Sequence, residues 1–160
     1  MAEMLDAGAA TFKLYMSGGN PLTPCPDDGA ILDAFAVAAD LGVRVAVHAE
    51  NAAILARRGA ALRAAGRTDA EAHLAAHPDV AAVEAVSRAA IFAEWTGCAI
   101  HFVNENTRHA LPHLAFAESR GVDVTAETCP HYLLLTSEDA DRLWGGFIPH
   151  SPSNSLISLS

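Results

Sequence analysis

Apolar and polar positions follow a short unit that recurs four times along the chain. Each unit has a helix-like segment, then a glycine, then an apolar run rich in β-branched residues. The glycines are Gly8, Gly42, Gly97 and Gly121, and the runs that follow them are AATFKLYM, VRVAVHAE, CAIHFVNE and VDVTAETC. A glycine at such a point closes a helix with a left-handed cap, so we predict that each apolar run is a strand.

Helical periodicity fills the intervals between the predicted strands. Thr68 and Glu71 form a capping-box pattern, and a helix is predicted from about residue 80 to residue 95. The segment 107–120 also has a helical pattern, although Pro112 is expected to bend this helix or to delay its start.

Nearly continuous apolar strands joined by helices predict a parallel sheet that is covered on both faces. A doubly wound sheet and a TIM barrel both fit, but no glycine-rich phosphate turn follows a strand. Polar side chains instead cluster at strand ends, where barrels carry their sites. They are Lys13, Tyr15, His48, Glu50, Asn104, Glu105, Glu127 and His131. We therefore expect an α/β fold with about four parallel strands, which is a partial TIM (β/α)8 barrel.

The end of the chain differs from the rest. Residues 148–160 are rich in serine, proline and asparagine and show no helix or strand period. We expect residues 1–147 to form the partial barrel domain and residues 148–160 to be an irregular or disordered tail. A closed barrel needs about 250 residues, so the chain is expected to be an incomplete barrel.

Charge and cysteine content narrow the function classes. The formal net charge is −9, and nucleic acids and anionic membranes need a basic face, so neither is an expected partner. No apolar run approaches the roughly 20 residues that span a bilayer, and the first residues lack a signal-peptide pattern. Three scattered cysteines, Cys25, Cys98 and Cys129, indicate a reducing compartment, and we expect a cytoplasmic protein.

Lys13 interrupts an apolar run, and two interpretations of it remain open. A desolvated lysine loses affinity for its proton, so Lys13 is either a surface lysine that extends its charge into water or a chemically active neutral amine. His48 in the next strand is either a hydrogen-bonded structural residue or a ligand. Their equivalent places in successive βα units favour a shared chemical role.

Three motifs in order, FKLY, VHAEN and ETCPHYL, resemble those of the cyclic-amide hydrolases of the amidohydrolase superfamily. This group contains dihydroorotase, allantoinase, and dihydropyrimidinase or hydantoinase. The stretch HPDVAAVEAVSRAAIFAEWTGCAIHFV is similar to the helix and strand that follow VHAEN in the group. The resemblance covers roughly residues 2–147.

The resemblance implies a metal-dependent hydrolysis of a ring C–N bond. It implies that Lys13 reacts with carbon dioxide to form a carbamate that bridges two divalent metal ions, usually zinc. It also implies that His48 ligates the second metal through neutral imidazole, and that metal-bound hydroxide attacks the carbonyl of a small cyclic amide or ureide.

Further polar residues of these motifs are candidates for supporting roles. Tyr15 is a candidate for the substrate side. Glu50 and Asn51 either orient His48 or cap the helix that begins near Ala52. His131 favours allantoinase or dihydroorotase over hydantoinase, and a structural role is an equal alternative.

The sequence departs from the family pattern at one ligand position. Family members carry His-x-x-His, of which the second histidine is the ligand, but the chain reads HFVNEN, so Asn104 occupies that position. An amide oxygen is a poor substitute for imidazole on zinc. His101 is not expected to replace it, because residues three apart on a strand point to opposite faces. The family's His-x-His pair and its aspartate have no counterpart in the chain.

The leading hypothesis is a central portion of an allantoinase- or dihydroorotase-like hydrolase that is inactive by itself. A non-catalytic scaffold or interaction protein derived from the same barrel is the alternative, and a truncated or frame-shifted product is a third. The exposed edges of a half barrel predict a homo-oligomer or an aggregation-prone chain.

Overall fold

The computed structural model describes residues 1–17 and 24–135 of the chain. The predicted tail and the predicted domain boundary at residue 147 lie outside these residues. The described elements, in chain order, are α1 (Ala2–Asp6), β1 (Phe12–Tyr15), α2 (Asp28–Asp40), β2 (Val45–His48), α3 (Ala52–Ala64), α4 (Ala70–Ala76), α5 (Asp79–Thr96), β3 (Ile100–Phe102), a 3-10 turn (Arg108–Ala110), α6 (Leu111–Ser119), β4 (Val124–Ala126) and α7 (Pro130–Leu134).

The four described strands form one parallel sheet in the order β1-β2-β3-β4. Lys13 lies beside Ala46, which lies beside His101, which in turn lies beside Thr125. A doubly wound sheet reverses its strand order, whereas a barrel adds strands in sequence. The strand order therefore confirms the prediction of a partial (β/α) barrel.

One face of the sheet carries the hydrophobic core. Val45 and Val47 of β2 and Phe102 of β3 are buried there against residues of α2 and α5, including Phe35 and Val86. Each large apolar side chain removed from water contributes about 1.5–3 kcal/mol to folding. Packing of helices on this face is thus the main stabilising interaction of the described chain.

The opposite face, here called the open face, lacks such a cover in the described residues. Lys13 and Tyr15 of β1 are exposed, and Thr125 of β4 is exposed as well. The prediction of a sheet covered on both faces is therefore wrong for the described part of the chain. Its physical basis was that apolar runs need cover, but alternate positions of these runs are polar or small.

The start of α4 corrects one predicted cap. Asp69, not Thr68, is the N-cap, and its carboxylate accepts a hydrogen bond from the backbone N–H of Ala72 at 2.8 Å. The guanidinium of Arg67 donates to the same carboxylate over two bonds of 2.7 Å. A carboxylate held in this way is a strong acceptor for the helix N-terminus, so the capping box of Thr68 and Glu71 is not formed.

The two other predicted helices agree with the structure. α5 matches the predicted range of 80–95 to within one residue and ends at Gly97, whose φ is 74°. Pro112 lies in the first turn of α6, after the 3-10 turn, so it delays the helix start as one of the two predictions stated. No helix in the described part of the chain combines the length and the apolar character needed to cross a membrane.

Candidate functional site

The open face begins with Lys13, the second residue of β1, and Tyr15, which ends that strand. The Lys13 ammonium lies 4.7 Å from the centroid of the Tyr15 ring, which is a cation–π contact. Both side chains are exposed, so no apolar cover desolvates the Lys13 amine within the described residues. Such exposure is expected of a surface lysine, which is one of the two interpretations of Lys13.

His48 lies next to Tyr15 at the end of β2. The two residues are register partners, and their ring centroids are 5.8 Å apart. Nε2 of His48 lies 3.0 Å from Oε2 of Glu50, and Nδ1 lies 3.1 Å from Oδ1 of Asn104. Only 14% of the side chain is exposed for both His48 and Glu50. The histidine is therefore held from both sides in a mostly buried position.

Opposing effects act on the pKa of His48. Burial is the largest of them and lowers the pKa. The hydrogen bond and the negative charge of Glu50, together with the hydrogen bond of Asn104, outweigh burial and leave the pKa raised above its ordinary value. Histidine in this position is thus more readily protonated than in water.

Glu50 and Asn51 of the VHAEN motif were expected either to orient His48 or to cap the next helix, and each residue does one of the two. Glu50 contacts His48, as an orienting residue would. Asn51 instead caps α3, because its side-chain oxygen accepts a hydrogen bond from the backbone N–H of Ile54 at 3.0 Å. The residue order places one side chain at the site and the next at the helix start.

Asn104 reaches His48 because the backbone turns at this residue. β3 ends at Phe102, and Asn104 has φ of 48°, in the left-handed region that asparagine tolerates better than most residues. The strict alternation of faces therefore does not extend from His101 to Asn104, and both contact polar groups of the site region. His101 and Asn104 are therefore not on opposite faces, contrary to the prediction, because the strand ends before Asn104.

Tyr132 completes a group that we call the His48 cluster: Glu50, His48, Asn104 and Tyr132. Tyr132 is only 4% exposed. Burial is the main reason that the pKa of Tyr132 is raised to about 12, and an interaction with the side chain of Asn104 acts to lower the pKa of its hydroxyl group. Tyr132 was not a predicted site residue; its signal is its place beside His131 in the ETCPHYL motif.

Glu105 is buried next to this cluster, with 6% exposure. Burial raises the pKa of its carboxyl group to about 7, although the backbone N–H groups of Thr107 and Asn106 donate to it and oppose the change. The sequence placed Glu105 at a strand end without assigning it a role. It holds the turn that follows β3.

His101 and His131 lie outside the His48 cluster. Nδ1 of His101 is 2.8 Å from the hydroxyl of Thr125, and Nε2 is 3.5 Å from Glu127. The His131 ring packs on Tyr132 with centroids 4.3 Å apart, and its buried Nε2 has no hydrogen-bond partner among the described residues. His101 thus has structural partners, whereas His131 has one polar atom without one.

The donor set of the described residues does not fit the binuclear metal centre that the resemblance implies. No group of three or more His, Cys, Asp or Glu side chains in residues 1–17 and 24–135 is placed to hold a metal ion. Both ring nitrogens of His48 face hydrogen-bond partners, and Asn104 offers an amide at the ligand position. A neutral imidazole with a free lone pair is what a metal requires.

Comparison with known proteins gives a consistent family. No family model matches the chain. It is 45% identical over 147 residues to an allantoinase of Rubrobacter xylanophilus, with 89% of the chain and 32% of that protein covered. An allantoinase of Solibacter usitatus is 38% identical over 144 residues, with the same coverage of 89% and 32%. The chain thus spans about a third of the length of these relatives.

The fold agrees with this assignment. The L-hydantoinase (dihydropyrimidinase) from Arthrobacter aurescens superposes with a TM-score of 0.85 at 32% identity, over 89% of the chain and 32% of that protein. The matched region includes a parallel sheet in sequential order with polar residues at the strand ends. On motifs, sequence and fold together, the chain is a member of the cyclic-amide hydrolase group of the amidohydrolase superfamily and forms part of that group's barrel.

Proposed function

We propose that the chain is a portion of a hydrolase that opens C–N bonds in cyclic amides, with a small ureide as the substrate class. The observation that carries this proposal is the placement of Lys13, Tyr15 and His48 together on the open face, with Tyr15 and His48 paired at the carboxyl ends of adjacent parallel strands. Identity of 45% to an allantoinase supports a ureide over other rings.

Hydrolysis of a ring amide requires a polarised carbonyl and an activated water molecule. The Lys13 ammonium and the Tyr15 hydroxyl are donors that can orient a carbonyl-rich ring on the open face. The family resemblance implies two divalent metal ions, but the residues present do not fit them. We therefore propose that residues 1–160, with Asn104 in place, do not open the ring by themselves.

Compartment and assembly are part of the same proposal. The described cysteines Cys25, Cys98 and Cys129 are free, which supports a reducing compartment such as the cytoplasm. Each of β1 and β4 has one strand neighbour in the described sheet. Strand edges without partners promote pairing with another chain, so size-exclusion chromatography should show dimers or larger species; a monodisperse monomer would contradict this expectation.

A scaffold or interaction role is the second candidate, and one observation favours it. Asn104 hydrogen-bonds His48 where a second metal ligand is expected, so the site geometry is maintained by polar contacts alone. A scaffold keeps its fold without ring hydrolysis. The two candidates differ in whether the chain's own residues support hydrolysis once Asn104 is changed.

The test is a chimera in which residues 1–135 replace the matching segment of the Rubrobacter allantoinase. The chimera with Asn104 should be folded and nearly inactive towards allantoin, and Asn104→His should restore ring opening. Adding His48→Ala to Asn104→His serves as the control and should abolish the restored activity. A folded Asn104→His chimera that opens neither allantoin nor hydantoin would refute the hydrolase proposal and favour the scaffold.

A further inference from the structure

The ring nitrogens of His48 have different partners, and their chemistry identifies which nitrogen is available to a metal. Glu50 is an acceptor in its ionised form, so Nε2, 3.0 Å from its carboxylate, carries the hydrogen of that contact. A lone pair for a metal ion therefore has to come from Nδ1. Nδ1 lies 3.1 Å from the Asn104 side chain.

Either orientation of the Asn104 amide blocks that lone pair. If the amide oxygen faces Nδ1, the ring nitrogen donates a hydrogen and has no lone pair left. If the amide NH2 faces Nδ1, it donates to the lone pair and occupies it. A metal ion reaches His48 only when Asn104 moves away.

Asn104 is itself held in place from the other side. Its side chain lies close enough to the hydroxyl of Tyr132 to influence it, and Tyr132 is only 4% exposed. Movement of the amide away from His48 would also remove its interaction with this buried hydroxyl, which opposes the movement. The left-handed backbone at Asn104 fixes where the side chain begins.

We propose that the His48 cluster is a closed hydrogen-bonded brace that keeps divalent metal ions off His48 and joins the carboxyl ends of β2 and β3 to α7. The brace replaces metal coordination as the interaction that holds these three segments together. This inference does not depend on ring hydrolysis, because it concerns only the partners of one histidine.

Zinc added to the chain also meets histidines outside the His48 cluster, and the test has to separate them from His48. His73 and His77 are four residues apart, with ring centroids 4.5 Å apart. Binding of zinc to such a pair says nothing about His48. A measurement that reports on individual histidines is therefore required.

The experiment uses the full chain with ¹⁵N-labelled histidine and zinc alone as the probe. Long-range ¹H–¹⁵N spectra should show no zinc-dependent shift of the His48 ring nitrogens at concentrations that shift His73 or His77. Zinc-dependent shifts of His48 in the unaltered chain would overturn the proposal. This readout needs no variant, so folding of a mutant does not limit it.

Variants sharpen the same test. Asn104→His should raise zinc affinity by on the order of 10- to 100-fold, as measured by competition with a chromophoric chelator, and His48→Ala should remove the gain. In the unaltered background, His48→Ala should leave zinc affinity unchanged. A loss of affinity in that background, or a folded Asn104→His chain without any gain, would contradict the brace. A negative allantoin assay has no bearing on either outcome.

Discussion

The two faces of the sheet differ in burial, and adjacent residues of one strand lie in different environments as a result. Along β3, Ile100 and Phe102 are fully buried against helices, whereas His101 between them lies on the open face and contacts Thr125. On the covered face, each apolar side chain packs against several others rather than against one partner. The open face is held by individual polar pairs. Stability is therefore expected to reside on the covered face, and chemistry on the open face.

The largest expected effect comes from breaking the covered face. Phe102→Ala should lower the free energy of unfolding by about 3–5 kcal/mol, because it removes a fully buried ring and leaves a cavity. His101→Ala, one residue away, should lower it by less than about 1 kcal/mol, since its contacts are replaced by water. Urea unfolding of both variants measures the difference. Equal losses would show that the open face stabilises the chain as much as the core does.

The buried carboxyl group of Glu105 makes the free energy of unfolding depend on pH. Its pKa of about 7 in the folded chain lies above the ordinary value of 4.5, because burial disfavours the charged form. The contribution to stability is complete below about pH 4.5 and is lost as pH rises through 7. The free energy of unfolding should thus fall by on the order of 3 kcal/mol from this group over that pH range.

Glu105→Gln is the matched control for this dependence. The amide keeps the shape and an acceptor oxygen for Thr107 and Asn106 but does not ionise. The loss of stability between pH 5 and pH 8 should therefore be smaller in the variant than in the unaltered chain. Identical pH profiles for the two proteins would refute the raised pKa of Glu105.

Two substitutions of Asn104 can distinguish the contribution of its side chain to stability from that of its left-handed backbone. Asn104→Ala and Asn104→Gly both remove the contacts with His48 and Tyr132. Alanine in addition strains the left-handed backbone, at φ of 48°, whereas glycine adopts it freely. Thermal unfolding should show the alanine variant to be less stable than the glycine variant by about 1 kcal/mol. The reverse order would mean that the backbone changes conformation once the amide is gone.

The fold was well predicted from the sequence because the apolar runs and the glycines before them mark where each strand begins. Four apolar runs after four glycines identified the strands, and polar residues at their ends pointed to a barrel. The same pattern cannot say whether a face is covered. Alternation shows which side chains share a face, whereas cover depends on which helices pack there, and this led to the wrong prediction of two covered faces.

The sequence pattern indicated which candidate residues share a face but not which side chains they contact. Lys13, Tyr15 and His48 do lie on one face, as register between strands requires. The contact between Asn104 and His48 escaped prediction because the apolar run continues through Val103 and gives no sign that the strand ends at Phe102. Tyr132 escaped it because contacts between loops of separate βα units leave no periodic signal.

The smallest expected effect comes from a threonine-to-valine substitution on the open face, which is compared with the same substitution at a buried position. Thr125→Val removes the hydroxyl that contacts His101 at 2.8 Å on the exposed β4, and water can replace it. The loss in free energy of unfolding should be at most about 0.5 kcal/mol.

Thr107→Val removes a hydroxyl of the same size from a fully buried position, where it accepts a hydrogen bond from the backbone N–H of His109 and caps the 3-10 turn. That loss should be larger, about 1–2 kcal/mol, because the hydroxyl lies in a fully buried position and caps the 3-10 turn. Urea unfolding of the pair tests whether burial, rather than the number of hydrogen bonds, decides what a polar contact contributes. Equal losses would mean that water reaches the open face less readily than the exposure of Thr125 indicates. The polar pairs of the open face would then contribute to stability as buried contacts do.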